Sequence, residues 1–146
     1  MSRSHESVIE IKATPEEVFR ALTEPGEIVK WFGPEARVDP RVGGEYYISW
    51  GPGMDMTKII SAWEPGAHFG VSSGRSIAYD SKGRPVETGV TQIIAVDYYI
   101  EAGDGVTRLR LVQSGFGEGA AWDDEFEGIK TGWADFLKKL KEVLET

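Results

Sequence analysis

Aromatic side chains are the residues of this sequence whose types and spacing most clearly provide chemistry, and that chemistry is binding. Their rings can form an apolar wall, and phenol and indole groups add a few hydrogen-bond donors that orient a flat or hydrophobic molecule. The alternative is that the rings simply fill the core. The set comprises Tyr46, Trp50, Trp63, Tyr98, Trp122, Phe126 and Trp133.

Few polar side chains are directed inward by the strand pattern, and these are the candidates for catalysis. They are Gln92, Tyr98 and Gln113, with Tyr46 as a further candidate. None of these side chains is an effective acid or base at neutral pH. The sequence therefore favours a binding protein over an enzyme, and we expect no catalytic residue.

The sequence has no set of residues arranged as ligands for a metal or a cofactor. His68 lies beside a turn, where a surface or hydrogen-bonding role is expected, and His5 falls in an N-terminus expected to be flexible. Cysteine is absent, which excludes thiolate ligands, disulfides and thiol nucleophiles. We therefore expect neither a metal nor a cofactor.

A long C-terminal helix must position several of the aromatic residues. Apolar side chains recur at intervals of three and four between residues 118 and 146, which is typical of an amphipathic helix. About 25 residues would span roughly 37 Å at 1.5 Å per residue, so we expect a sheet to cover the apolar stripe. Gly128 and Gly132 share one side of this helix, where we expect close approach of a neighbouring strand; space for a ligand is the alternative.

The N-terminal part of the chain predicts one strand and two short helices. Residues 7–13 alternate as a first strand, with Val8, Ile9 and Ile11 facing inward. Thr14 followed by proline and by Glu17 forms a capping box that begins a short helix. Residues 27–32 then predict a second one.

The middle of the sequence predicts strands joined by short turns, which favours an antiparallel sheet of six or seven strands in all. Residues 74–88 are the least regular part and predict a loop or hairpin tip. The predicted strands are 45–50, 56–63, 68–73, 90–100 and 106–115.

Length and charge limit the possible functions. The 146 residues, 40% of them hydrophobic and 27% charged, are typical of one soluble globular domain spanning 1–146. A net charge of −8 argues against nucleic acid or an anionic membrane as a partner. Without an apolar span or a signal peptide, no membrane insertion is expected and the expected location is the cytoplasm.

Several motifs together resemble the family named for the activator of the heat-shock protein 90 ATPase, within the START-like (SRPBCC) superfamily. Their order and spacing cover nearly the whole chain. The motifs are Thr14–Thr23, Trp31-Phe32, Gly43-Gly44, Thr107–Leu111 with Ser114-Gly115, and Gly132-Trp133.

This resemblance implies an α+β helix-grip fold, with a curved antiparallel sheet around the C-terminal helix and two short helices after the first strand. It also implies an apolar cavity between sheet and helix that holds a small hydrophobic or aromatic molecule. A polyketide cyclase or hydrolase in the same cavity is one alternative. Another is a co-chaperone that acts in the stress response by binding a chaperone through its surface. A monomer and a homodimer are both compatible with the sequence.

The side chains expected to line the cavity come from the strands and from the last helix. They are Tyr46, Ile48, Trp50, Trp63, Gln92, Ile94, Tyr98, Leu111, Gln113, Phe126, Ile129 and Trp133.

Overall fold

A curved antiparallel sheet faces one long helix, as the computed structural model of the chain shows. The structure describes residues 3–51, 55–73, 78–79, 85–86, 94–116 and 120–146. The strands within these ranges are β1 (Arg3–Ile11), β2 (Glu35–Val38), β3 (Glu45–Ser49), β4 (Asp55–Glu64), β5 (His68–Ser73), β6 (Ala78–Tyr79), β7 (Pro85–Val86), β8 (Ile94–Ala102) and β9 (Thr107–Phe116). The helices are α1 (Pro15–Thr23), α2 (Pro25–Ile28) and α3 (Ala120–Glu145).

Seven of the strands form the main sheet in the order β1-β9-β8-β5-β4-β3-β2, and β6 pairs with β7 separately. Every pairing in the main sheet is antiparallel. The register of β4 against β5 shifts between Ile60 and Ala62, and an irregularity of this kind bends a strand. The predicted helix-grip class of fold, with its six or seven strands, is confirmed.

Strand parity correctly predicts the inner face of the sheet in β8 and β9. Tyr98, Leu109 and Leu111 are buried, and Gln113 on the same parity is only 6% exposed. Ile60, Phe69 and Val71 continue this face across β4 and β5. The inner face therefore carries the core that meets α3 through Trp133, Leu137 and Leu140.

The first strand differs from its prediction. β1 begins at Arg3 rather than at residue 7, and it ends at Ile11. Val8 was expected to face inward, but it is 50% exposed, whereas Ile11 is fully buried and Ile9 is partly buried. Val8, Ile9 and Ile11 do not alternate strictly, so the sequence alone does not show which of them face inward. Pairing with β9 places the odd-numbered residues of β1 in the core.

Other element boundaries also differ from the predicted ones. The second helix is a four-residue turn at Pro25–Ile28 rather than 27–32, because Pro25 suits a first helical position. β2 was not predicted at all. The predicted strand at 90–100 is found as Ile94–Ala102, and its first four residues lie outside the described ranges, as does most of the irregular segment at 74–88.

The end of α3 is attached to β1 by polar contacts. Lys141 Nζ donates to the carbonyl oxygen of Glu10 at 2.6 Å. The backbone N–H of Lys12 donates to Glu145 Oε2 at 2.8 Å. These contacts fix the direction in which the 26-residue helix crosses the sheet.

The capping box of α1 gives a test of local stability. Thr14 Oγ1 accepts from the Glu17 backbone N–H at 3.1 Å, so we expect Thr14→Ala to lower the free energy of unfolding by about 1 kcal/mol. Urea denaturation measures this change. Thr131→Ala is the control: its hydroxyl donates to Glu127 O inside α3, where alanine is the better helix former, so no loss is expected. Equal losses in the two variants would contradict the role of the cap.

Candidate functional site

An aromatic seam lies where α2 and its following turn, the end of β3 and α3 meet. We define it as Phe32, Trp50, Trp133 and Phe136. The Phe32 and Trp133 rings are stacked with centroids 5.4 Å apart, and the Phe136 ring meets Phe32 edge-on at 4.8 Å. Trp50 completes the seam, with its centroid 5.3 Å from that of Phe32 and its indole N–H donating to the Phe32 carbonyl at 2.8 Å.

The aromatic seam runs from the core to the surface. Phe32 and Trp133 are only 7% and 8% exposed, whereas Trp50 and Phe136 are partly exposed. Ile129, one turn before Trp133 in α3, is also partly exposed. Apolar rings that are continuous from core to solvent are the usual lining of a small-molecule site.

The two glycines of α3 have no close neighbour among the described residues. A Cβ built on Gly132 or on Gly128 would have no described atom within 4 Å, so the predicted close approach of a strand is not found within the described ranges. Gly33 shows what such an approach looks like, because its Cβ would meet Ile48 Cγ2 at 2.6 Å. Gly132 is partly buried, and Gly128 is exposed. The space beside Gly132 therefore adjoins the aromatic seam.

A buried polar cluster joins α3 to the sheet on the other side of Trp133. Gln113 Oε1 accepts from the Trp133 indole N–H at 2.8 Å and lies 2.9 Å from His5 Nε2. Because an indole nitrogen only donates, the oxygen of the Gln113 amide must face it. His5 must then donate from Nε2, so its neutral ring carries the proton on that nitrogen.

The predicted flexible N-terminus is wrong at His5. It lies in β1 opposite Gln113, is only 7% exposed, and meets the Phe126 ring edge-on at 6.0 Å. Burial lowers the pKa of His5, the hydrogen bond to Gln113 opposes this shift, and the charge of Lys130 adds to it. Sequence alternation from Ile11 back to residue 5 was the signal that could have revealed this position.

Tyr46 and Tyr98 place two phenols in the core. Each is only 2% exposed, and the described part of the chain supplies no hydrogen bond to either hydroxyl. Burial raises the pKa of both phenols, and Tyr46 raises that of Tyr98 further. The two side chains are connected by Phe69, which lies 5.5 Å from Tyr46 and 5.9 Å from Tyr98 between ring centroids.

Lys58 is the inner-face residue that sequence reasoning missed. It lies directly opposite Tyr46 in the β3–β4 pair and shares strand parity with Met56 and the buried Ile60. Directly opposed residues of an antiparallel pair present their side chains on the same face. Desolvation lowers the pKa of Lys58, and no ion pair to it is formed within the described ranges.

The predicted lining residues fall into separate groups. Trp50, Ile129 and Trp133 belong to the region of the aromatic seam, while Gln113 and Phe126 lie around His5. Tyr46, Ile48, Tyr98 and Leu111 are buried on the inner face. Trp63 packs instead on Phe19 of α1, with centroids 5.1 Å apart. Gln92 lies outside the described residues, and only the backbone of Ile94 is described.

The second histidine belongs to the outer face of the sheet. His68 Nε2 lies 2.8 Å from Asp97 Oδ1, and its ring stacks on Tyr99 with centroids 4.5 Å apart. The predicted hydrogen-bonding role of His68 is confirmed. Within the described ranges, no group of three or more His, Cys, Asp or Glu residues is placed to hold a metal. Nor does any helix described here have the length and apolar character needed to cross a bilayer.

The curved sheet, the long helix across its concave face and the short helices after β1 define a START-like, or SRPBCC, protein. A family model narrows this class, because the Activator of Hsp90 ATPase homolog 1-like model matches residues 12–145. The chain belongs to that family, and the predicted resemblance is confirmed.

Solved structures with the same fold span most of the chain. Protein MLL2253 from Mesorhizobium loti has 25% identity and a TM-score of 0.80, with 97% of this chain and 96% of that chain covered. The Aha1 dimer from Colwellia psychrerythraea has 21% identity and a TM-score of 0.75, with coverages of 98% and 96%. DynU16, from the dynemicin biosynthetic locus, has 22% identity and a TM-score of 0.76, and 98% of this chain spans 47% of it. No curated protein matches the sequence.

The buried histidine predicts a pH dependence of stability. Because the folded-state pKa of His5 lies below its ordinary value of 6.5, the unfolded chain binds more protons in the interval between the two. The stabilising contribution of neutral His5 is thus present above about pH 6.5 and is lost as the pH falls toward the folded-state pKa. Urea denaturation from about pH 7.5 to pH 5 should show a smaller decrease for His5→Gln than for the wild type. Ser4→Ala, an exposed neighbour in β1, should behave like the wild type, and an unchanged slope in the His5 variant would contradict the assignment.

Proposed function

We propose that this protein binds a small hydrophobic or aromatic molecule between the sheet and α3. The observation that carries the proposal is the aromatic seam, which continues from the buried Trp133 to the partly exposed Trp50 and Phe136. A core that only needed to be filled would gain by burying all of these rings. Exposed rings at the edge of the seam are suited to guide an apolar molecule inward.

Gly132 supports the same location. Glycine inside a helix costs about 1 kcal/mol relative to alanine, and here no close backbone contact accounts for it. A ligand that occupies the space beside this partly buried glycine, next to Trp133, would explain why glycine occurs there. In this proposal the ligand lies along the rings and is oriented by the few polar groups of the inner face.

The lining residues of the proposed site are those expected from the sequence, with two changes. Lys58 and His5 join them because of their positions on the inner face, and Trp63 moves to the periphery because it packs on α1. We also propose that residues 1–146 form one START-like domain that acts in the cytoplasm. A homodimer stays a candidate assembly, since the Colwellia psychrerythraea relative is described as a dimer.

Turnover in the same cavity is the second candidate, and Lys58 is the specific observation that favours it. Lys58, an amine with a lowered pKa, lies opposite Tyr46 in the register of β3 and β4, so two ionisable side chains share one face that the sequence did not reveal. A cyclase or hydrolase would convert its ligand and would lose that activity in Lys58→Met. A binding protein would release the ligand unchanged, which mass spectrometry of the recovered ligand distinguishes.

Two glycine variants test the binding site. Gly132→Leu should raise the free energy of unfolding of the free protein by about 0.5–1 kcal/mol, because leucine is the better helix former. The same side chain should occupy the proposed space and weaken binding of the apolar probe N-phenyl-1-naphthylamine at least about ten-fold in a fluorescence titration. Gly128→Leu is the matched control, since its exposed position gives the helix benefit without filling the site.

Equal probe binding by the two variants would overturn this location for the site. Native mass spectrometry of freshly purified wild-type protein provides an independent measurement. A retained small molecule that is absent from Gly132→Leu would support the proposal. Retention by both proteins would contradict it.

A further inference from the structure

Four side chains on the inner face of the sheet have a hydrogen-bond donor for which the described residues supply no acceptor. We call Lys58, Tyr46, Tyr98 and Gln113 the donor cluster. The side chains of Tyr46, Tyr98 and Gln113 are each at least nine-tenths buried, and Lys58 is half-buried. Among the described residues, no acceptor contacts the two phenols, the lysine or the amide nitrogen of Gln113. A buried donor without an acceptor costs about 1–3 kcal/mol.

The donor cluster is continuous across the sheet. Lys58 and Tyr46 are directly opposed in the register of β3 and β4. Phe69 bridges Tyr46 to Tyr98, and Tyr98 meets the ring of Trp133 edge-on at 6.0 Å. Trp133 in turn donates to Gln113. Tyr98 and Gln113 thus both contact the tryptophan at the buried end of the aromatic seam.

Each residue of the donor cluster can donate a hydrogen bond. The phenols can also accept, whereas the lysine only donates and carries a positive charge. No carboxylate of the described part of the chain is buried, although the chain as a whole has a net charge of −8. Among the described residues, no acidic side chain forms an ion pair with Lys58.

We propose that the donor cluster binds the anionic end of an amphiphilic ligand, a single carboxylate-like oxygen group attached to an apolar or aromatic body. This inference rests on the proposed function and specifies its ligand class. Lys58 supplies the charge, Tyr98 and Tyr46 donate to the oxygen atoms, and the body extends along Trp133 toward Phe136. Charge-assisted hydrogen bonds of this kind are stronger than neutral ones.

A matched pair of fluorescent probes tests the proposal on the full chain. 8-Anilinonaphthalene-1-sulfonate and N-phenyl-1-naphthylamine share one ring system, and only the first carries an anionic group. The wild type should bind the sulfonate probe at least about ten-fold more tightly than the neutral probe. Lys58→Met should reduce the ratio of the two affinities to about one, whatever its effect on the neutral probe. Lys139→Met, which removes an exposed lysine of α3, should keep the preference.

Tyr98→Phe is the second variant, because it retains the ring and removes only the hydroxyl. It should weaken binding of the sulfonate probe several-fold more than binding of the neutral probe. It therefore keeps the proposal testable if Lys58→Met does not fold.

The possible failures are distinguishable. Equal affinity of the wild type for both probes would overturn the anionic subsite and leave the proposed function standing. A preference that survives in both Lys58→Met and Tyr98→Phe would also overturn it. If neither probe binds to the wild type, the proposed function itself fails and the ligand class fails with it.

Discussion

The hydrogen bond from the Trp133 indole to Gln113 is the contact on which the arrangement of the interior depends. It joins α3 to β9, and through the same amide oxygen it reaches His5 of β1. The Trp133 ring also stacks on the ring of Phe32. One residue therefore sets the distance between helix and sheet, because a buried indole N–H must find an acceptor. Once that distance is set, the helix cannot settle further into the concave face.

The two halves of a helix held in this way have different roles. Leu137 and Leu140 are almost fully buried and secure the C-terminal half of α3, where Lys141 and Glu145 also attach it to the end of β1. Gly132 lies just before this anchored part, and a Cβ built on it would have no described atom within 4 Å. Stability is thus concentrated at one end of the helix, and the other end retains features that cost stability. Proteins commonly accept such a cost where a site must stay open.

Sequence patterns predicted the fold well because the signals that define it are local. The capping box at Thr14 and the alternation through Leu109, Leu111 and Gln113 depend only on neighbouring residues, and both agree with the structure. His5 and Lys58 were not found as inner-face residues because their placement depends on pairing with distant strands. A polar residue near a chain end or turn is usually exposed. Only its pairing with a partner strand shows that it is buried instead. Space beside Gly132 was only the alternative to a close strand, since the fit of whole elements decides between the two.

The chemistry of the interior also bears on the choice between the two proposed functions, binding and turnover. General acid-base catalysis needs a proton acceptor that is free at neutral pH and close to the reacting atom. Burial favours the neutral ring of His5, but its Nε2 proton is directed to Gln113 and not to the phenols. Tyr46 and Tyr98 retain their protons because burial raises the pKa of each phenol. Lys58 is the one described inner-face group whose pKa is shifted toward neutrality while its side chain has no protein partner. Donors that hold their protons are suited to keeping an acceptor group in place, so the two phenols fit the proposed binding better than proton transfer.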